Sequence, residues 1–129
     1  MVRYATETEK HSLRTRTLEL EPDEVIKDYS QYDCFVAEAK QEIVAWIWAY
    51  MKHPNQVQLH KLIGENQFLS EIIDYIIKIT DALEVNEVVS FIPHDETEHI
   101  ELFDGLGFNT ADWAYVIKKA RGWWGKQGL

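Results

Sequence analysis

Residues 34–63, CFVAEAKQEIVAWIWAYMKHPNQVQLHKLI, contain three short segments rich in β-branched and aromatic residues, at 34–40, 42–51 and 57–63. Such residues favour strands, and the polar connections between the segments suit tight turns. Three sequential strands joined by short turns form an antiparallel meander. The sequence therefore predicts a sheet at the centre of the fold.

Helical and strand patterns alternate on both sides of this meander. Thr6 or Thr8 offers an N-cap hydroxyl for a first helix, and Pro22 indicates a second helical start. After Gly64 the apolar residues recur at helical spacing. The predicted elements outside the meander are a strand at 2–6, an irregular helical region at 8–30, an amphipathic helix at 68–83, a strand at 86–93, a short helix from 95 or 97 to 103, and a strand at 112–118. This order predicts an α/β (α+β) architecture.

The composition is that of one globular domain. The 129 residues are 46% hydrophobic and 27% charged, and no repeat or Pro/Gly/Ser-rich linker divides them. The formal net charge of -9 opposes long-range attraction to nucleic acid or to an anionic membrane, and it suits a cationic partner such as a polyamine. We therefore expect neither nucleic acid nor membrane as a partner.

The location of the protein is predicted from what the sequence contains. Cys34 is the single cysteine, so an intrachain disulfide is impossible and a reducing cytosol is the simplest setting. The N-terminal residues MVRYATETEK have no apolar core of a signal peptide. The longest apolar stretch, 43–51, is about half of what a membrane-spanning helix needs. These features predict a soluble, cytoplasmic protein.

Residues 100–108, IELFDGLGF, combine a helical pattern with a glycine-containing stop. They resemble the late helix and turn of the GCN5-related N-acetyltransferases (GNAT), a family that uses acetyl-CoA to acylate amines. The segment at 2–7 resembles the family's opening strand and helix start, and the hairpin at 35–46 resembles its second and third strands. The resemblance spans 2–119 and implies a mixed, mostly antiparallel central sheet flanked by helices. It leaves 120–129 as a Trp-rich tail.

The resemblance implies an acetyl-CoA site where the fourth strand leads into the main helix. In the family this loop reads roughly Q/R-x-x-G-x-G/A, and its backbone N–H groups surround the pyrophosphate. Here it aligns with GENQFL at 64–69, which has one glycine, no basic residue and an added carboxylate at Glu65. The side chains of Gln67 and Leu69 are expected to crowd it. The residues assigned to this site are Leu59, Leu62, Gly64, Glu65, Asn66, Gln67, Phe68, Leu69, Ser70, Glu96 and Phe103.

Two positions of the late helix differ from the family pattern. Family members often have Asn where Glu96 aligns and Tyr where Phe103 aligns. The Tyr hydroxyl of the family commonly lies near the CoA sulfur, where it can protonate the departing thiolate. Because Phe103 has no hydroxyl, the resemblance implies that water or another residue would serve as the acid.

A general base would have to remove a proton from the ammonium group of the acceptor. His60, on the fourth strand beside the cleft where the strands of the family separate, is the first candidate, because the ordinary pKa of histidine lies near neutral pH. Glu38 on the preceding hairpin is the second candidate, and Glu42 is a further one. The structural alternative is a strand histidine hydrogen-bonded to a neighbour and two carboxylates that face solvent.

Several other residues have both a functional and a structural interpretation. His94 and His99 lie among carboxylates, but their spacing matches no zinc signature, so no metal site is predicted. Cys34 begins an apolar strand and is interpreted as a core residue. Trp46 and Trp48 share one face of a strand, where they form either core, which is favoured, or the floor of an acceptor cleft.

The tail from 118 to 126 mixes basic residues with Trp123 and Trp124. One interpretation is a nucleic-acid contact in which the aromatic rings stack on bases. The other is an arm that docks on the domain or on a second subunit. The acidic remainder of the chain favours docking, which makes a homodimer compatible with the sequence.

Two functions follow from the resemblance. The first is an N-acyltransferase that moves an acetyl or other acyl group from acyl-CoA to an amine of a small molecule or protein, by direct attack of the neutral amine. The alternative is a catalytically inactive GNAT-fold module for binding or dimerisation. The missing loop glycines and Phe103 favour this alternative.

Overall fold

Ten helices and strands make up the described part of the chain. The computed structural model describes residues 1–21, 29–85, 87–92, 96–110 and 116–120, with 91, 109–110 and 116–120 described by their backbone. In chain order the elements are β1 (Val2–Tyr4), α1 (Glu7–Leu20), β2 (Asp33–Ala39), β3 (Glu42–Tyr50), β4 (Gln56–Ile63), α2 (Asn66–Ala82), β5 (Glu87–Phe91), α3 (Thr97–Gly105), β6 (Asn109–Thr110) and β7 (Val116–Ala120).

The described strands join one mixed sheet in the order β1-β2-β3-β4-β5-β7-β6. Neighbouring strands pair antiparallel except β4 and β5, which run parallel and are connected through α2. A parallel pair needs such a crossover, whereas antiparallel neighbours need only a turn. The predicted meander is confirmed as β2, β3 and β4. The α/β (α+β) class with a mostly antiparallel sheet is confirmed as well.

Local sequence signals account for the start of α1 and the position of α2. Thr6 caps α1, because its hydroxyl accepts from the Glu9 amide at 3.2 Å while the Glu9 carboxylate accepts from the Thr6 amide at 2.8 Å. Along α2, the buried residues recur at helical spacing and face the sheet. These residues are Leu69, Ile72, Ile73, Ile76, Ile77 and Thr80.

The sheet has a buried core on each face. On one face α2 and α3 cover alternate residues of β2, β3 and β4, among them Phe35, Ile47 and Leu59. On the opposite face α1 covers a smaller cluster. That cluster consists of Leu13, Tyr29, Cys34, Val36, Trp46 and Trp48. Because side chains alternate across a strand, β3 supplies both cores at once.

The structure refines several sequence-based expectations. Cys34, Trp46 and Trp48 are buried, as the core interpretation predicted. The pairing of β6 with β7 was not predicted, and the last strand is described from 116 onward rather than from 112. The helical start at Pro22, His94 and the Trp123–Trp124 tail lie outside the described residues. Within those described residues, no helix combines the length and apolar character needed to cross a membrane.

A single hydroxyl joins α1 to β3. Thr17 is fully buried, and its Oγ1 accepts hydrogen bonds from the indole nitrogens of Trp46 and Trp48, each at 2.9 Å. The same hydroxyl donates to the Leu13 carbonyl at 2.7 Å. One donor and two lone pairs are all that a threonine hydroxyl has, so its hydrogen-bonding capacity is fully used.

We expect Thr17→Val to destabilise the fold by about 2–4 kcal/mol, because it leaves two buried indole N–H groups without an acceptor. The control Thr17→Ser keeps the hydroxyl and removes one methyl group, so it should cost about 1 kcal/mol. The measurement is the free energy of unfolding in urea, followed by tryptophan fluorescence. A loss in Thr17→Ser as large as that in Thr17→Val would contradict the role of the hydroxyl.

Candidate functional site

The parallel pairing of β4 and β5 ends in the middle of the sheet. Their parallel pairing runs from Gln56 to Leu59 on β4, opposite Glu87 to Ser90 on β5, and β4 then continues to Ile63. The Ser90 hydroxyl donates to the Leu59 carbonyl at 3.3 Å, at the last paired position. The paired segment ends here, and this end of it is where the resemblance implies a cleft.

His60 lies at this point of separation, in a β-bulge. On β3, Trp48 and Ala49 pair with Lys61 and Leu59 respectively, so His60 is the additional residue of β4. A bulge of this kind re-aims a side chain and increases the local twist, and bulges are common beside active sites. His60 is therefore displaced from the regular ladder where the cleft begins.

The surroundings of the His60 ring are partly aromatic and partly polar. The ring is half-buried, and its centroid lies 5.1 Å from that of Tyr32 in an edge-to-face arrangement. Its Nε2 lies 3.1 Å from Oε1 of Gln58. Burial lowers the pKa of His60 from the ordinary value of 6.5, because the charged imidazolium loses hydration. A neutral imidazole near neutral pH is the form that accepts protons.

Glu38 is not brought to His60. Its carboxylate pairs with the Nε atom of Arg3, whose other guanidinium nitrogens contact Glu9 at 2.7 and 2.8 Å. The Arg3 hydrogen bonds lower the pKa of Glu9 to about 2. Since β3 lies between β2 and β4, Glu38 acts as an ion-pair partner that joins β1, β2 and α1, away from the cleft. The role of Glu38 as a base stays a prediction, and in this structure its carboxylate is paired with Arg3.

The loop from β4 to α2 is shaped by packing at its single glycine. Gly64 has a φ of +125°, and a Cβ atom built on it would lie 2.5 Å from the Cβ of Ala45. Only glycine accommodates both this dihedral angle and this close approach. The glycine is thus required for the contact of the loop with β3, whether or not a ligand binds there.

The start of α2 presents two backbone amides. Glu65 is the N-cap in an extended conformation, and its carbonyl accepts from the amides of Phe68 and Leu69 at 3.0 Å each. In a helix the first N–H groups have no intrahelical acceptor, so the amides of Asn66 and Gln67 are the ones oriented outward. These two amides and the helix dipole are what the loop offers to an anion.

The side chains of the loop point in different directions. Leu69 is fully buried in the core, so the expectation that it crowds the loop is wrong. Gln67 is exposed, with its amide 3.3 Å from the Glu65 carboxylate. Phe68 packs against the core, and the Ser70 hydroxyl donates to the Gln67 carbonyl at 3.0 Å. Gln67 and Glu65 are thus the exposed side chains beside the amides.

The starts of α2 and α3 lie side by side. The side-chain amide of Asn66 donates to the Glu98 carbonyl at 3.0 Å, which places the first turn of α3 beside that of α2. A cavity of about 370 Å³ at the start of α3 is lined by Glu96, Thr97, Glu98 and His99. The described lining residues include neither lysine nor arginine, and Glu96 contacts Nδ1 of His99 at 2.7 Å. The amides fit a pyrophosphate, whereas the nearby negative charge opposes it.

The remaining predicted contact residues lie in the core. Phe103 is fully buried, and its ring centroid lies 4.7 Å from that of Phe108. Leu59 and Leu62 are also buried, on the face covered by α2. The side chains of these residues face inward, so a ligand in the cleft would meet their backbone. The position that aligns with the tyrosine of the family is therefore a packing position here.

Sequence reasoning missed the polar side chains beside His60. Gln56, Gln58 and His60 occupy every second position of β4, and the first two connect through hydrogen bonds to Glu87 on β5. The period-two polar pattern is visible in the sequence, but the register with β5 is not. Tyr32, which contacts the His60 ring, was also missed, because it precedes its strand by one residue.

A second cavity, of about 320 Å³, lies beside α1 next to the Trp48 ring. Its described lining combines charged helix residues with two aromatic rings. These residues are Glu7, Lys10, His11, Arg14, Tyr29, Ser30 and Trp48. Among the described side chains, the buried Tyr29 hydroxyl has no hydrogen-bond partner, and burial raises its pKa to about 12.

The described residues contain no group of three potential metal ligands. Cys34 is buried, and burial raises the pKa of its thiol well above the ordinary value. A thiol held in the protonated form is a poor nucleophile.

We expect Gly64→Ala to lower the free energy of unfolding by about 2–4 kcal/mol, since strain from the positive φ adds to the overlap with Ala45. Gly107→Ala is the matched control, because Gly107 also has a positive φ, of +84°, but no atom within 4 Å of the position that a Cβ would take. The control should cost about 1 kcal/mol. Equal losses in thermal or urea unfolding would show that the contact with Ala45 does not constrain the loop.

Comparison with known proteins identifies structures that have this fold. No protein-family model matches the chain, and no curated protein matches it by sequence. Solved structures do match. An aminoglycoside 6'-N-acetyltransferase from Enterococcus faecium superposes with a TM-score of 0.66 at 15% identity, over 93% of this chain and 96% of that one. Tetrahymena GCN5 gives 0.69 at 10% identity, over 93% and 95%.

A GNAT family acetyltransferase from Elizabethkingia anophelis, solved with acetyl-CoA bound, gives a TM-score of 0.67 at 11% identity, over 93% of this chain and 97% of that one. These superpositions extend over nearly the whole of each chain, although few residues are identical. The chain therefore has the fold of the GCN5-related N-acetyltransferases, at 10–15% sequence identity to these solved structures.

Proposed function

We propose that the protein is an N-acyltransferase that moves an acetyl or other acyl group from a CoA thioester to an amine. The observation that carries the proposal is the bulged, half-buried His60 at the point where β4 leaves β5. The imidazole lies on β4, the strand whose end leads through Gly64 into the N-terminus of α2. Solved proteins with the same fold bind acetyl-CoA or coenzyme A.

The proposed reaction is a direct transfer. His60 removes a proton from the acceptor ammonium, and the neutral amine nitrogen attacks the thioester carbonyl carbon. A C–N bond forms, the tetrahedral centre loses the second amine proton, and the C–S bond breaks. The thiolate leaves and is protonated by water, so the balance is an amide, a CoA thiol and one released proton.

The backbone of the bulge supplies the electrostatic contribution. We assign polarisation of the thioester carbonyl to a backbone N–H of β4 near His60, since such a dipole is fixed before the reaction starts. Phe103 is not assigned the role of general acid, because it has no hydroxyl and is buried. A thiolate is a tolerable leaving group because thiols ionise near pH 8.5. The reaction can therefore proceed without that acid.

Donor binding is proposed to be weak. The amides of Asn66 and Gln67 would face the pyrophosphate, with the carboxylate of the N-cap Glu65 and the backbone carbonyl of Glu98 nearby. The Asn66 side chain is occupied with the Glu98 carbonyl, and the cavity there has acidic lining. Affinity for CoA would consequently rest on backbone dipoles and the cleft rather than on cations.

Removing one of these charges should tighten binding. Glu65→Gln is expected to lower the dissociation constant for desulfo-CoA about two- to fivefold at low salt, as Coulomb repulsion over roughly 10 Å of a largely aqueous path predicts. Asp74→Asn, an exposed change of equal charge in the middle of α2, should leave it unchanged. Calorimetry at two salt concentrations measures both. Equal effects of the two variants would contradict a pyrophosphate at the α2 start.

The acceptor is proposed to be a cationic amine, in keeping with the net charge of -9. Solved relatives of the fold include aminoglycoside and ribosomal-protein-alanine acetyltransferases. A panel of an aminoglycoside, a polyamine and a peptide with an N-terminal alanine covers these classes. Release of free CoA thiol from acetyl-CoA reports turnover with each.

The pH dependence should identify the base. As the pH falls through the lowered pKa of His60, the ring gains a proton and can no longer act as a base. We expect kcat to rise with pH to a plateau, with an inflection below pH 6.5. His60→Gln should reduce kcat at least about 100-fold and remove that inflection, while the control His53→Gln, on the β3–β4 turn, should do neither. An unchanged profile in His60→Gln would exclude His60 as the base.

A binding or dimerisation module without acyl transfer is the second candidate. The carboxylate of Glu65 at the N-cap of α2 and the packing role of Phe103 favour it. Undetectable binding of acetyl-CoA and desulfo-CoA at millimolar concentration, in both the wild type and Glu65→Gln, would establish this candidate over the acyltransferase.

A further inference from the structure

We propose that Glu87 fixes the tautomer of His60 through the side chains of Gln56 and Gln58, so that Nε2 carries the hydrogen and Nδ1 is the nitrogen that accepts a proton. Glu87 and the two glutamines are positioning residues in this proposal. The role of Nδ1 in catalysis rests on the proposed acyltransferase function, whereas the tautomer itself does not.

Four side chains form a continuous hydrogen-bonded chain across two strands. Gln56 Nε2 lies 2.7 Å from Glu87 Oε1, and Gln58 Nε2 lies 2.7 Å from Gln56 Oε1. His60 Nε2 lies 3.1 Å from Gln58 Oε1. The chain therefore runs without a gap from a carboxylate on β5 to the imidazole in the bulge of β4.

The strand pattern explains why these side chains meet. Gln56 and Gln58 are two residues apart, so they lie on one face of β4, and His60 follows at the same spacing. The parallel register pairs Gln56 with Glu87. All four side chains are half-buried, so water competes only partly for their hydrogen bonds.

The carboxylate sets the direction of the chain. An ionised carboxylate only accepts hydrogen bonds, so Gln56 must turn its NH₂ group toward Glu87 and its oxygen toward Gln58. Gln58 must then donate to Gln56, which leaves its own oxygen facing His60. The nitrogen that meets this oxygen has to carry a hydrogen. The reverse order would place two acceptors 2.7 Å apart at Glu87.

This arrangement is suited to a base. With the hydrogen on Nε2, the lone pair of the neutral ring is on Nδ1. When Nδ1 gains a proton, Nε2 remains a donor to Gln58, so no side chain has to rotate during the transfer. The hydrogen-bond chain is thus arranged for the imidazole and the imidazolium alike.

A charge reversal at the end of the chain provides a sharp test. A lysine only donates, so Glu87→Lys should turn both amides around, present the Gln58 NH₂ group to His60 Nε2, and move the hydrogen to Nδ1. Long-range ¹H–¹⁵N NMR of histidine-labelled protein at pH 8 distinguishes the two tautomers. The His60 signals are assigned by their loss in His60→Gln.

We expect Nε2–H in the wild type, a majority of Nδ1–H in Glu87→Lys, and the wild-type pattern in Glu84→Lys, an exposed control with the same charge change. Gln58→Leu removes the acceptor of the Nε2 hydrogen and should lower the Nε2–H population below that of the wild type. It serves as the second variant if Glu87→Lys does not fold. Retention of a single Nε2–H tautomer in folded Glu87→Lys or in Gln58→Leu would overturn the proposal.

The tautomer of His60 and its role as the general base can be tested separately. The NMR measurement requires no substrate, so it reads the tautomer even if no acyl transfer is found. If the tautomer switches in Glu87→Lys while kcat with acetyl-CoA and an accepted amine is unchanged, His60 is not the base and the tautomer inference stands. If both change, and KM changes less than kcat, the positioning role is supported.

Discussion

The buried hydroxyl of Thr17 is the contact on which the α1 side of the molecule depends. It holds the indole nitrogens of Trp46 and Trp48 at once, so two large rings of β3 are fixed against one helix. Trp48 then stacks on Tyr29 at 4.3 Å, Tyr29 contacts Tyr32 at 5.5 Å, and Tyr32 contacts the His60 ring. Each ring in this series contacts the next one, so the Thr17 hydroxyl contributes indirectly to the orientation of the His60 ring.

The other face of the sheet imposes a different constraint. There α2 starts where Gly64 touches Ala45 of β3, and that close approach decides the path of the loop. The one glycine that this loop shares with the pattern of the acetyltransferases is needed for packing, which the sequence alone could not distinguish from a role in binding phosphate. A loop whose path is set by packing still leaves the amides of Asn66 and Gln67 facing outward. The affinity of any anion at these amides would therefore depend on the charges beside them.

Regular periodicity made most of the fold predictable. The meander and α2 were predicted from spacing within a few residues, and both are confirmed. The cap of α1 was predicted at Thr6 or Thr8, and the structure has it at Thr6. What could not be read depends on contacts between distant residues. The bulge at His60 depends on the register with β3, the pairing of Glu38 depends on Arg3 across two strands, and the contact of Gln56 with Glu87 spans 31 residues. Composition and spacing do not determine such registers.

The side-chain amides of Gln56 and Gln58 lie between Glu87 and His60. They separate two effects of a carboxylate on an imidazole that usually occur together. A carboxylate in direct contact with an imidazole fixes its tautomer but also stabilises the charged form and raises its pKa. In this site the Glu87 carboxylate is linked to His60 through three hydrogen bonds. It therefore sets the donor and acceptor direction of each bond without contacting the imidazole itself. Burial then controls the pKa of His60 and lowers it. The ring can therefore have a defined tautomer and still be neutral at the pH where an amine acceptor must lose its proton.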